Sequence, residues 1–263
     1  MSFLRHLYHY RGFIMGSVKR EFQSKYQNSL LGIAWAVLQP LAMILVYTLI
    51  FSSIMRARLP GVETAYGYSI YLCAGIITWG LFAEIAGRSQ TIFLDNAGLI
   101  KKLSFPRLCL PIIVVCSAVI NFGIIFSLFV VFLLVSGNFP GWAFFSIFPV
   151  LAIQVIFAVG LGVSLGVLNV FFRDVGQLFT VVLQFWFWLT PIVYPLSILP
   201  ERFHGLMALN PMAGLVASYQ GILVHGQLPD WSSLVLPAVA GILLCICGLY
   251  LFRKHGDDMV DEL

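Results

Sequence analysis

The sequence predicts an all-α polytopic membrane protein: six transmembrane helices, an N-terminal amphipathic helix at the membrane interface, and two short re-entrant helices between the fifth and sixth spans. Three observations carry this. Of 263 residues, 60% are hydrophobic and 10% charged. An ordinary soluble domain has about 45–50% and about 25%, so these few charges could not cover the core of a soluble chain. Charge-free runs long enough to cross a hydrocarbon layer, which takes about 20 residues, recur along the chain. The basic residues are also divided unequally between alternate loops.

Residues 1–29 form an arm too polar to span. Phe3, Leu7, Tyr10, Ile14 and Val18 recur at three- and four-residue spacing, which gives one apolar face. Lys19, Arg20 and Lys25 are the arm's candidate contacts with anionic headgroups. A cleavable signal passes at once from basic to apolar residues. Here basic residues persist to Lys25 and the apolar run starts only at Leu30, so the arm is expected to be retained.

Residues 30–263 read as one transmembrane domain. The first two spans cover 30–55 and 65–88. The run 108–172 has no acid or base and is too long for one crossing. Gly137-Asn138-Phe139-Pro140-Gly141 divides it by turn chemistry into spans 108–136 and 142–170. Spans 175–199 and 231–252 complete the six. Lys and Arg in short loops favour the cytoplasmic side. Twelve fall on the side of the arm, the second-to-third loop, Arg173 and the tail, against Arg56, Arg58 and Arg202 on the other. Both termini are therefore expected in the cytoplasm.

Two connections are more than loops. In 95–107, Asp95 or Asn96 can cap a short helix that Phe105-Pro106 ends. Leu99, Ile100, Leu103 and Phe105 beside Lys101, Lys102 and Arg107 make a cytoplasmic knob that a soluble partner could grip. In 200–230, the apolar runs 203–209 and 212–224 are separated by Asn210-Pro211. The second run is only about 20 Å long as a helix, too short to span. A pair that dips in and returns, lining a pore mouth, fits best, because irregular backbone at depth must be satisfied by protein or a water-filled cavity.

Several chemistries lack their residues. Gly162-Val163-Ser164-Leu165-Gly166 has the spacing of a serine nucleophile, but all five histidines lie outside the spans, so no base reaches Ser164. Ala158, Gly162 and Gly166 at four-residue intervals instead suit close helix approach. Glu84 is either paired with Arg88, one turn on, or a gate. No series of acids or histidines crosses the membrane, as a proton-coupled carrier would need. The five cysteines make no metal spacing, and no nucleic-acid partner is expected. None of the 23 glycines is followed by lysine, so there is no phosphate-binding loop. The chain is read as a non-enzyme without cofactors, and any ATP and magnesium would be bound by another polypeptide.

Aromatic residues crowd the fifth span as Phe185, Trp186, Phe187 and Trp188, with Tyr194 beyond, and Trp35 and Tyr47 lie in the first. Such rings stack on sugars, pack in protein or anchor helices in lipid. Phe185 and Trp188 share a helical face and Trp186 lies about 100° away. The cluster is therefore expected to divide between a channel and protein or lipid.

Four blocks resemble the polysaccharide-exporting permeases of type-2 ABC transporters. They are Lys19-Arg20-Glu21-Phe22 through Trp35 and Gln39-Pro40, Gly98-Leu99-Ile100-Lys101-Lys102 through Phe105-Pro106-Arg107, Phe172-Arg173-Asp174-Val175 through Thr190-Pro191-Ile192-Val193-Tyr194-Pro195, and Leu209-Asn210-Pro211-Met212. The resemblance implies a homodimer that binds two copies of an ATP-binding subunit. It implies export of an undecaprenyl-linked, O-antigen-like glycan across a bacterial inner membrane, although capsule and teichoic-acid exporters share the blocks. The first and fifth spans would line the channel, which makes Trp35, Tyr47, Phe185, Trp186, Trp188 and Tyr194 candidate glycan contacts. Asn96, Leu99, Ile100, Lys101, Lys102, Phe105 and Arg107 would couple to the ATPase. The rival readings are an ion-coupled secondary carrier and an intramembrane enzyme.

Overall fold

The computed structural model describes residues 10–26, 31–54, 66–102, 109–256 and 258–262. These are helical almost throughout, with no strand among them. In chain order the helices are α1 (Arg11–Tyr26), α2 (Trp35–Thr48), α3 (Gly67–Asp95), α4 (Ala97–Lys102), α5 (Cys109–Val135), α6 (Ile147–Phe171), α7 (Asp174–Leu189), α8 (His204–Ala208), α9 (Pro211–His225), α10 (Trp231–Lys254) and α11 (Asp258–Glu262).

Among the described residues, four stretches are long and apolar enough to cross a membrane: Gly67–Asp95, Cys109–Val135, Gly141–Phe171 and Trp231–Lys254. A fifth is counted if Glu201–Ala208 and Pro211–His225, bent by 101°, form one broken span. The first expected span is a shorter apolar helix, α2, which continues through Pro40 and into a π-helical turn at Leu49–Ile54. The fifth ends early, at Leu189. Pro191 has no N–H to donate and disfavours helical backbone before it, so the chain unwinds from Thr190. The second runs longer than expected, to Asp95, and carries Glu84 and Arg88 within it.

The centre of the bundle is α6, held between α3 and α10. A side chain at Gly162 would begin 2.5 Å from Ser89 Cβ, and one at Gly166 2.6 Å from the Ser89 carbonyl oxygen. On the opposite face, one at Gly160 would begin 2.8 Å from the Gly241 oxygen, and Gly241 in turn abuts Phe157. The helices thus meet backbone to backbone on both sides, the close approach that small residues permit. Ser164 belongs to this packing, since its hydroxyl donates to the Leu244 carbonyl at 3.0 Å. Amide side chains bind α6 to α3 as well: Gln154 donates to the Thr78 carbonyl at 2.7 Å and Asn169 to that of Gln90 at 3.0 Å.

Helix α9 is packed inside the subunit against α3, and its Leu215, Val216, Tyr219 and Ile222 are fully buried. Its limits follow from sequence. Asn210 caps its start by accepting the Met212 N–H at 3.0 Å, Pro211 takes the first helical position, and Gly226 ends it with a left-handed φ of 62°. On α1, Ile14 and Val18 lie one turn apart and are buried against Cys109 and Ile113 of α5, with Tyr10 alongside. Phe3 and Leu7 lie outside the described residues. Helix α11 has no counterpart in the sequence reading. It folds back so that Met259, 1% exposed, packs in one cluster with Ile100, Phe93, Leu110, Val167 and Val170.

Candidate functional site

The end of α7 and the unwound segment after it are built as one unit. Trp186 turns inward, where its ring centroid lies 5.2 Å from that of Phe82 and 6.3 Å from those of Trp79 and Phe157, each edge-on. Its indole N–H donates to Asn210 Oδ1 at 2.8 Å. Asn210 therefore accepts two bonds through one oxygen, and its amide donates to Thr190 Oγ1 at 3.1 Å. One side chain joins the end of α7 to the start of α9.

Beyond Thr190 the backbone carbonyls lack helical partners, and tyrosines of α3 supply donors. Tyr68 donates to the Val193 oxygen at 2.5 Å, and Tyr71 to those of Pro191 at 3.1 Å and Tyr194 at 3.0 Å. Gln220 of α9 reaches the Pro191 and Ile192 oxygens at 3.4 Å. Non-helical backbone at membrane depth needs such partners. The sequence reading missed Tyr68, Tyr71 and Gln220 because tyrosine at the end of an apolar run has the same pattern as an interface anchor. The two prolines around 190–195 were the available signal.

Phe185 and Trp188 project from α7 together and are 66% and 64% exposed. Tyr194 folds back to donate to the Trp188 carbonyl at 2.8 Å. On α2, Trp35 is 45% exposed, while Tyr47 is half-buried with its ring 6.3 Å from Phe51. Leu38, Leu41, Leu45 and Leu49 continue an exposed apolar face along the same helix. The structure thus sets Trp186 apart from Phe185 and Trp188. Trp186 is bound into the bundle, and the other two are presented outward.

The coupling candidates cluster at α4. Asp95 or Asn96 is the cap expected for α4; the Asn96 amide donates to the Ile92 carbonyl at 2.9 Å and so closes the last turn of α3. Its carbonyl accepts the N–H groups of Leu99 and Ile100 instead. Ile100 is 7% exposed and faces Met259 and Phe93, Leu99 is half-buried beside them, and Lys101 is exposed. Lys102 ends the helix. Phe105 and Arg107 lie outside the described residues. On the arm, Lys19 and Arg20 are exposed, Arg20 donates to Ser17 Oγ at 3.0 Å, and Lys25 lies in the last turn of α1.

Glu84 is paired as the helical spacing suggests. Arg88 Nη1 lies 3.4 Å from its Oε1, and Asn121 of α5 donates to its Oε2 at 2.9 Å. Arg88 Nη2 also meets Glu21 of α1 at 2.5 Å. No group of three or more potential metal-ligating side chains occurs among the described residues.

Residues 14–224 match the ABC-2 type transporter family. The chain is 33% identical over 263 residues to an O-antigen export system permease protein, RfbA, of Myxococcus xanthus, covering 99% of this chain and 98% of the relative. It is 32% identical to a protein of the same name from Klebsiella pneumoniae, over 89% of this chain and 88% of the relative. With the polysialic acid transport protein KpsM of Escherichia coli it shares 23% identity over 92% of each chain. A match that takes in the arm, the helix ends at Asn96 and Leu189 and the capped α9 leaves one assignment: the chain is a multi-span membrane protein of the ABC-2 type transporter family.

Proposed function

We propose that the chain is the membrane subunit of an ATP-driven polysaccharide exporter of the bacterial inner membrane. It acts as a homodimer with two copies of a separate ATP-binding subunit and moves an undecaprenyl-linked, O-antigen-like glycan. The observation that carries this is the similarity to O-antigen export permeases along essentially the whole chain. Capsular export is the second reading, supported by the lower similarity to a polysialic acid transport protein. In this proposal the chain crosses six times with both termini cytoplasmic. Helices α2 and α7 are two of the crossings, and α8 and α9 are the re-entrant pair.

The geometry supports a division of labour. Phe185, Trp188 and Trp35 offer ring faces on the outside of the subunit, where a second copy would enclose a channel. Ring stacking on a passing sugar is weak, about 0.5–1.5 kcal/mol per contact by analogy with aromatic pairs, which permits sliding. Lys101, with Leu99 at the edge of α4, presents the coupling surface, and Ile100 anchors that helix from below. Trp186 and Tyr47 serve the frame, and Tyr194 steadies the end of α7.

Deleting the gene and restoring it on a plasmid tests the reading. The expected result is loss of surface long-chain glycan, accumulation of the lipid-linked glycan inside the cell, and rescue only when the partner ATPase can hydrolyse ATP. Unchanged surface glycan in the deletion strain would refute it.

A further inference from the structure

We propose that a groove bounded by α1, α2, α3 and α5 binds a phospholipid with a primary ammonium in its headgroup, of the phosphatidylethanolamine type. Only the placing of that headgroup on the cytoplasmic side rests on the topology proposed above. The groove consists of three neighbouring clefts that share lining residues. A cleft of about 330 Å³ opens among Glu21, Ser24, Glu84, Arg88, Ser117 and Asn121. Glu84 and Asn121 also border a cleft of about 220 Å³ that follows α3 past Leu81 and Gly80 to Ile76. Asn121, Met43 and Ile125 border a third, of about 340 Å³, beside Trp35 and Gln39.

Along one wall, residues 88, 84, 80 and 76 of α3 stand at four-residue spacing. Twelve residues of helix rise about 18 Å, close to the roughly 15 Å that half a hydrocarbon core measures. Along α3 the groove is polar at Glu84 and Arg88, apolar toward Ile76, and about one leaflet deep. A Cβ placed at Gly80 would meet no atom within 4 Å, so the apolar stretch has room for an acyl chain.

Charge selects the headgroup. Arg88 faces two carboxylates, Glu21 and Glu84, and the three side chains are between 24% and 34% exposed. Partial burial strengthens charge interactions relative to water. Among the described lining residues an excess of one negative charge therefore favours an ammonium and disfavours an anion. The guanidinium has five N–H donors, more than the two carboxylate contacts use, and the rest can meet a phosphate oxygen with help from Ser117. A headgroup with one phosphate and one primary ammonium fits this set. Phosphoglycerol brings no cation, choline has no N–H to donate, and a polyprenyl pyrophosphate carries more negative charge than one guanidinium offsets.

The test is native mass spectrometry of the purified full-length protein, released from nanodiscs holding equal parts phosphatidylethanolamine, phosphatidylglycerol and phosphatidylcholine with added polyprenyl pyrophosphate. The expected result is retention of phosphatidylethanolamine about tenfold above each other lipid, the ratio that one charge-assisted hydrogen bond supports. Glu84→Gln should bring that preference close to parity. Gly80→Leu, which fills the groove from an open position, should reduce retention while leaving the melting temperature unchanged. Retention of any competitor as strongly as phosphatidylethanolamine would overturn the proposal. So would undiminished retention in Gly80→Leu. Because the readout is bound lipid, it succeeds or fails independently of the export reading.

Discussion

Replacing Asn210 by alanine removes the joint between α7 and α9, and the structure sets the size of the effect. The helix cap on Met212 is lost, typically about 1 kcal/mol. The Trp186 N–H is left without its acceptor in a half-buried aromatic setting, which costs roughly 1–3 kcal/mol. The Thr190 hydroxyl keeps its own bond, donating to the Trp186 carbonyl at 2.8 Å, so the lost amide contact there adds little. The sum is about 2–4 kcal/mol, or a fall of about 5–15 °C in melting temperature for a chain of this size. A thiol-reactive dye gives the assay in a background with Cys116, Cys245 and Cys247 replaced by serine, because the remaining Cys73 and Cys109, 0% and 1% exposed, label only on unfolding. Asn210→Asp retains the oxygen that Met212 and Trp186 share and should melt closer to the parent. In a double-mutant cycle, Asn210→Ala and Trp186→Phe should couple by about 1 kcal/mol. Melting of Asn210→Ala within about a degree of the parent, on a scale of several degrees per kcal/mol, would refute the joint. So would equal losses in the alanine and aspartate variants.

Phe185→Ala combined with Trp188→Ala should leave the amount of membrane-inserted protein unchanged and sharply reduce surface glycan, whereas Trp186→Ala should reduce the protein itself; immunoblots beside glycan staining separate the two. Gly162→Leu forces a side chain into Ser89 at a cost of about 3 kcal/mol or more and should abolish accumulation, while Gly221→Ala, at a helical position open to space, should be tolerated. Ile100→Ala opens a cavity under α4 and should cost about 2–4 kcal/mol in stability. Lys101→Glu on the exposed side should leave melting unchanged and weaken co-purification of the ATPase.

Much of the frame is legible because a membrane imposes long apolar runs and strong turn residues. Gly137 to Gly141 separates α5 from α6, Asn210-Pro211 begins α9, and the Ala158, Gly162 and Gly166 repeat gives the packing face of α6. Hydropathy fails where an apolar residue has two possible destinations. Trp186 and Trp188 are equal in composition, and only Asn210, far along the chain, decides that the first turns inward. Ile100 reads as part of a docking knob until Met259 is found beneath it. A contact between residues so distant leaves no local periodicity to detect. The end of α7 is similar: Thr190-Pro191 marks the break, but the tyrosines that satisfy the broken backbone belong to α3.

The seam joining α3, α6 and α10 has a mechanical consequence. Packed helices usually slide by changing rotamers along their contact, small steps that each need only a side-chain flip. Where Gly162 rests on Ser89 and Gly160 on Gly241, there are few rotamers to change, so the contact is either seated or broken. These three helices are therefore expected to stay together as one rigid piece. On the export reading proposed above, the displacement that passes a sugar chain falls to α2, which carries an exposed apolar face and runs on into a π-helical turn. A disulfide between α3 and α6 should leave export intact, and one that fixes α7 to α2 should stop it; the reverse outcome would place the moving parts inside the seam.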